Sequence, residues 1–278
     1  MNKKVTIISS RYNAFDIGLR EILTYKDLFL LLVRRNFVSF YKQTVLGPLW
    51  YLLQPLLMTA VYSVVFGIIA KVSTMGIPRI LFYLSGVVFW QYFSDCFSKT
   101  ANVFIVNQGV FGKVYFPRLI VPLATIASSF LKFLIQMGIF ILVLLYYINQ
   151  GVCFPVIEIL LFPFLLFVLI ALALGLGLFL SAVTVKYRDL SFLLGFGLQL
   201  LFFSTPILYP FKIIPVSLRD IIWFNPLVHL IESFRYIFTG YGELNYIGLS
   251  YSSGFAFISL FIGILLFSRT EKDFLDRV

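Results

Sequence analysis

Beyond residue 48 the chain is a succession of long apolar runs divided by short polar breaks. Six runs, 49–70, 80–101, 119–148, 156–183, 190–208 and 247–267, reach the length needed to cross a bilayer, which takes about 20 residues. The third and fourth are longer, so they must tilt or continue into water. Ahead of them the pattern changes. Residues 1–24 are polar and mixed and predict a loosely ordered arm. Over 25–44, Leu30, Val33, Phe37, Phe40 and Tyr41 recur on one helical side, and Asp27, Arg35, Ser39 and Lys42 on the other. A helix of that kind lies in the headgroup plane with its basic face toward water and anionic lipid. Gly47 and Pro48 turn it into the first run. Proline suits a first helical position because its missing N–H would go unpaired there. Trp50 and Tyr51 follow at the depth of interfacial aromatics. The pattern predicts an all-α integral membrane protein: a cytoplasmic arm and interfacial helix over 1–47, then a six-span domain over 48–278.

The stretch 209–246, between the fifth and sixth runs, is more than a loop. Its pieces 217–224 and 226–238 are apolar and helical in pattern but too short to span, as re-entrant or interfacial helices are. Asn225 reads as an N-cap, with Pro226 in the first turn. Such a pair closes a pathway at the outer face, and a hairpin lying on the lipid surface fits the same pattern.

Composition supports the membrane assignment. Of 278 residues, 60% are hydrophobic and 12% charged, where a soluble domain carries about a quarter charged residues. The net charge of +10 is explained by topology rather than by nucleic acid. With both termini inside, sixteen Lys and Arg fall on the cytoplasmic side and five outside, which is the positive-inside bias. The first residues lack the compact apolar region of a cleavable signal, so the first span is expected to remain as an anchor. Cys96 and Cys153 form no spacing motif, and neither a disulfide framework nor a metal site is expected.

Catalytic chemistry finds little to work with. His229 is the one histidine, and no G-x-S-x-G or Walker sequence occurs; Gly112-Lys113 lacks both the upstream glycine and the hydroxyl. No catalytic residue and no cofactor are expected on this chain. If ATP drives the protein, another chain binds it. Two ionisable residues, Asp95 and Lys132, lie near the middle of spans two and three. A charge there costs at least about 2.5–3.5 kcal/mol on insertion scales, so the two pair across adjacent antiparallel spans or face a polar lumen; snorkelling or a neutralised carboxyl is the alternative. Aromatic residues make up 19% of the chain. Most pack or face lipid, while Trp50, Tyr51, Phe202, Phe203 and Tyr209 are candidates to line a route on which sugar rings stack. Gly175, Gly177 and Ser181, with Ser191, Gly195 and Gly197, permit close helix contacts. The cytoplasmic connections 107–117 and 186–190 are short and charged, suited to receiving a push from a motor and equally to plain connection.

At these residues the chain resembles the membrane subunits of ABC-2 type exporters of cell-surface polysaccharides, the O-antigen, capsule and teichoic-acid permeases. The resemblance is carried by Tyr41-Lys42-Gln43-Thr44 with Leu46-Gly47, Trp50 and Gln54-Pro55, although Phe40 stands where the family pattern has arginine. It continues through Gly86, Trp90 and Phe93, then Asn107, Lys113, Phe116-Pro117 and Pro122, then Tyr187-Arg188-Asp189. Pro206, Tyr209, Asn225-Pro226 and Arg235 complete it. It implies short outer gate helices before the last span, marked by Asn225, Pro226 and Arg235. It also implies a homodimer with two separate ATPase subunits that hold ATP and Mg, in a bacterial inner membrane. Asn107, Lys113 and Phe116 would belong to the main coupling helix, and Tyr187, Arg188 and Asp189 to a second ATPase contact. Arg34, Arg35 and Lys42 would meet the diphosphate headgroup of a lipid-linked glycan, or simply anchor to anionic lipid. A drug or lipid permease of the same superfamily and a membrane-embedded glycolipid transferase are the rival functions. The second is poorly served by a lone histidine and scattered carboxylates.

Overall fold

The computed structural model describes residues 24–39, 42, 44–111, 116–151, 157–187 and 189–275. Among these residues every regular element is helical. The first, α1 (Lys26–Ser39), is shorter than the predicted 25–44. Tyr25, Leu28, Phe29, Leu32 and Val33 form its packing stripe, at the spacing of one helical face, and the helix lies against α5 (Ile120–Ile148). Leu30, which the periodicity placed with Val33 and Phe37, is exposed together with Leu31.

The first span begins as a 3₁₀ turn at Gly47–Leu49, where Gly47 adopts φ +53°. It continues as α2 (Trp50–Tyr62) and finishes as a π-helical segment, Ser63–Ile69. Pro55 sits inside α2 and brings no N–H, so the Tyr51 carbonyl loses its helical donor. The Gln136 side chain reaches over from α5 and donates to that carbonyl at 3.4 Å, while also donating to Gln91 Oε1 at 2.8 Å. The Gln54-Pro55 step is thus tied into the bundle by a side-chain amide.

Helix α3 (Arg79–Ala101) is the hub, buried along most of its length and packed on α2, α5 and α6 (Phe162–Lys186). The short α4 (Val103–Phe111) follows it. The last helix, α10 (Tyr246–Leu275), makes its main contact with α6. Glycine permits their crossing. A Cβ on Gly175 would overlap the backbone of Ser259 and Leu260, and one on Gly263 would overlap the Gly175 carbonyl.

Five segments are long and apolar enough to cross a membrane: Gly47–Ile69, Arg79–Ala101, Ile120–Ile148, Glu158–Lys186 and Tyr246–Glu271. The fifth predicted run, 190–208, is different. Its helix, α7 (Leu190–Phe203), stops after 14 residues. At about 1.5 Å per residue that is roughly 21 Å, short of the ~30 Å hydrocarbon core. The chain leaves the helix just ahead of Thr205-Pro206, and a proline disfavours helix in the residue before it. The short helices α8 (Val216–Trp223) and α9 (Pro226–Thr239) follow. Asn225 caps α9 by accepting from Leu227 N at 3.1 Å, and Gly240, at φ +69°, ends it.

Candidate functional site

Two clusters of charge lie along α3, one toward each end. Toward its last third, Asp95 Oδ2 accepts from Lys132 Nζ of α5 at 2.8 Å. Lys99, one turn on, places its Nζ 3.9 Å from the same oxygen and 3.3 Å from Ser129 Oγ. Lys132 is only 7% exposed. Asp95 lies between the midpoint of its span and the α4 end. The antiparallel packing of α3 and α5 brings both partners to one depth. Arg35, Asn36 and Ser39 of α1 and Asn107 of α4 complete the walls of a cavity of about 290 Å3. Asn107 interrupts α4, with φ −107° and ψ 15°, and its amide donates to Val103 O at 2.9 Å. On the other side of the Asp95–Lys132 pair lies a second cavity of about 380 Å3. Its walls are amides and rings: Gln54, Gln91 and Gln199 with Tyr62, Trp90, Phe202 and Phe203. Trp90 and Tyr62 each pack against Phe202.

The opposite end of α3 holds Arg235 of α9, fully enclosed. Its Nη2 donates to Ile207 O at 2.9 Å, and Nη1 to Pro206 O and to Glu232 at 3.2 Å. Nε reaches Ser85 Oγ at 3.4 Å, and the guanidinium lies 3.8 Å above the Phe82 ring. Gly86 makes this possible, because a Cβ there would stand 2.8 Å from Nη2 and 3.3 Å from Ile207 O. Asn225 adds a second tie, donating to Thr205 Oγ1 at 2.9 Å. Burial raises the Glu232 carboxyl above its ordinary value, against the pull of Arg235. The segment after α7 is therefore clamped to both α3 and α9.

Residues 27–239 match the family described as ABC-2 type transporter. The chain belongs to that family. It is 30% identical over 260 residues, 90% of this chain and 94% of the relative, to an O-antigen export system permease protein RfbA of Klebsiella pneumoniae. A protein of the same name from Myxococcus xanthus is 29% identical over 221 residues, 79% of this chain and 83% of the relative. A polysialic acid transport protein KpsM of Escherichia coli is 29% identical over 255 residues, 91% and 95% of the two chains. An ABC-2 permease is the non-catalytic membrane subunit of its transporter and pairs with separate ATPase subunits that bind the ATP.

Within this permease the predicted site residues separate. Phe202 and Phe203 share the second cavity. Tyr51 is 3% exposed, stacks on Phe37 and donates its hydroxyl to Phe37 O at 3.0 Å, fastening α1 to the first span. Trp50 is exposed, and Tyr209 turns back to donate to Phe203 O at 2.6 Å. Arg34 and Lys42 are exposed at and beyond α1, and of the three basic candidates only Arg35 lines the charged cavity. Asn107 lines that cavity too, whereas Phe116 is buried against Phe111 with ring centroids 5.9 Å apart. Tyr187 and Asp189 are exposed, and Lys113 and Arg188 lie outside the described residues. Sequence reasoning missed Arg118. Its side chain is 3% exposed and donates to Glu271 O at 2.8 Å, tying the connection after α4 to the last helix. Burial lowers its pKa, while Glu271 offsets that in part. Nothing in its neighbourhood in sequence signals a partner 153 residues away.

Proposed function

We propose that this permease exports a lipid-linked cell-surface polysaccharide, carried on undecaprenyl diphosphate, from the cytoplasm to the periplasm, with O-antigen as the leading candidate cargo. It works as a homodimer with two ATPase subunits in the bacterial inner membrane, both termini in the cytoplasm. One observation carries the proposal: relatives named for two chemically different glycans, O-antigen and polysialic acid, match nine-tenths of the chain. The ring-and-amide cavity suits such cargo, since sugar rings present C–H faces to aromatic side chains and hydroxyls to amides. Asn107, Lys113 and Phe116 receive the motor's movement at one contact and Tyr187, Arg188 and Asp189 at the other. Arg34, Arg35 and Lys42 meet the diphosphate headgroup of the lipid-linked cargo, with anchoring of α1 to the anionic inner leaflet as the alternative role. Asn225, Pro226 and Arg235 set the outer gate built from α8 and α9. Capsule and teichoic-acid chains are alternative cargoes of the same machine.

Deletion of the gene tests this. The expected result is loss of surface glycan with lipid-linked glycan retained inside the cell, and unchanged drug sensitivity. Drug sensitivity with intact surface glycan would assign the permease to the drug and lipid branch. Replacing Arg188 and Asp189 together should uncouple ATP hydrolysis from export while leaving the dimer folded. Normal export by that variant would refute the contact role.

A further inference from the structure

Helix α10 is fastened at each end to a different group of short segments. At its inner end Arg118 Nη1 donates to Glu271 O at 2.8 Å, and the Arg118 backbone N–H donates to Glu271 Oε1 at 3.3 Å. Arg118 Nη2 reaches back to the carbonyl of Phe111, the last residue of α4, at 3.4 Å. Rings reinforce this tie. Phe267 of α10 stacks on Phe104 with centroids 4.7 Å apart, and Phe104, Phe111 and Phe116 follow in ring contact along α4 and the connection after it. At the outer end Tyr251 donates its hydroxyl to Phe224 O at 2.8 Å, and Ser252 donates to Pro226 O at 2.9 Å. Those two carbonyls bracket Asn225, the joint between α8 and α9. Tyr251 also packs on Trp223 of α8, with centroids 5.2 Å apart.

Between the two ties α10 is one unbroken helix without proline. Tyr251 and Glu271 stand about 30 Å apart along it, at roughly 1.5 Å per residue, which is the depth of the hydrocarbon core. A hydrogen-bonded helix is stiff along its axis, so a displacement of one end reaches the other. Its closest approach to α6, at Gly263 and Gly175, is backbone to backbone and falls between the ties. Helix α3 also runs from α4 to the outer segments, but it is buried along most of its length among three helices. In the single chain α10 instead exposes Phe255, Phe257, Ile258, Phe261 and Ile262, and an element with fewer neighbours shifts at lower cost. We propose that α10 carries movement from the connection after α4 to the α8–α9 joint, with Arg118 positioning its inner end and Tyr251 and Ser252 its outer end. The inference rests on the motor-contact and outer-gate roles proposed above and adds the path between them.

The test follows α8 in the full permease–ATPase complex in nanodiscs. Asp220 of α8 is exposed, so Asp220→Cys reports its surroundings through the rate of alkylation by a charged maleimide. A Cys153→Ser background leaves the buried Cys96 as the other thiol. With both ties intact, the rate should differ between the nucleotide-free complex and the complex with ATP and vanadate. Tyr251→Phe with Ser252→Ala removes the two outer bonds and keeps the Tyr251 ring on Trp223. This variant should hold its unfolding midpoint and go on hydrolysing ATP, yet lose the difference in rate; Tyr251→Phe alone should diminish it. Arg118→Gln should lose the difference from the inner end. Where that buried change lowers the unfolding midpoint, the outer variants decide. A full nucleotide-dependent difference in the folded outer double variant would overturn the proposal and route the movement elsewhere, with α3 the other continuous path. The two readings fail separately. A difference kept by the double variant sinks the link and spares the gate, whereas no difference with both ties intact removes the gate reading and the link with it.

Discussion

The two ends of α3 hold the same chemical ingredients, a buried cation on a carboxylate, and use them differently. At the α9 end the cation is enclosed by bonds. Arg235 meets two backbone carbonyls, a carboxylate, a hydroxyl and a ring face, and Gly86 removes the one side chain that would hold these groups apart. At the α4 end Lys132 and Asp95 pair as closely, yet cavities open on both sides of them. A buried ion pair therefore says little about role. Arg235 lines a cavity of about 120 Å3, against about 290 and 380 Å3 beside Asp95 and Lys132, so the smaller volume together with the enclosing bonds marks the clamp.

Breaking the clamp should have the largest consequence. Arg235→Ala strands the Pro206 and Ile207 carbonyls and leaves Glu232 without its partner. Removal of one member of a buried pair costs about 3–5 kcal/mol, so the variant should accumulate poorly and unfold at a lower temperature in detergent. Gly86→Ala should weaken the same contacts from the other side, through a Cβ placed against Nη2. An unchanged unfolding midpoint for Arg235→Ala would show that the segment after α7 is held by other means.

The open pair should respond more mildly, because water can enter beside it. Asp95→Lys and Lys132→Asp should each destabilise the permease, and the two together should recover most of the loss. Coupling of about 1–3 kcal/mol is expected for residues in direct contact. Losses that simply add would mean that the 2.8 Å approach contributes nothing to folding. Set beside Arg235→Ala, the cycle measures what enclosure adds to an ion pair of similar geometry.

This contrast also marks what could be read from the residues. Apolar run length located the five segments long and apolar enough to cross and both short helices after α7, because length and hydrophobicity decide which segments can span hydrocarbon. It overextended the fifth run, since Ile207 and Leu208 continue the apolar composition past Ser204 and Thr205 while Pro206 and the Arg235 bonds hold the segment in a turn. Asp95 and Lys132 were visible as charges where charge is expensive. Lys99 stands one turn from Asp95 on the same helix and could have been read as its companion, whereas Arg35 and Asn107 could not, because two other elements bring them in. Tyr51 was read as a route aromatic and Arg235 as a gate residue; the first is packed under α1 and the second is enclosed. A residue type announces its chemistry, whereas the direction it faces is set by neighbours far away in sequence.

The smallest expected effect lies at the clamp's edge and concerns pH. His229, one turn before Glu232 on α9, donates through Nε2 to the Trp223 carbonyl at 2.9 Å. Its other face lies against Gly248, where even a Cβ would overlap the ring. Burial lowers its pKa below the ordinary 6.5, opposed in part by the bond to Trp223. The neutral ring is therefore the folded form. Above 6.5 both folded and unfolded chains carry it neutral, and its stabilising effect is complete. As pH falls through 6.5 the unfolded chain takes up the proton first, so stability declines until the folded pKa is passed. Glu232 works the other way: its raised pKa favours folding below its ordinary 4.5 and loses that effect as pH rises through the folded value. Lys212, Arg219 and Glu243 line the same small cavity, so the whole slope does not belong to one ring. The difference between wild type and His229→Gln isolates it. The wild type should lose unfolding temperature on acidification below 6.5, and the variant should lose less. Equal slopes would mean that the ring is protonated in place without disturbing α8 or α9.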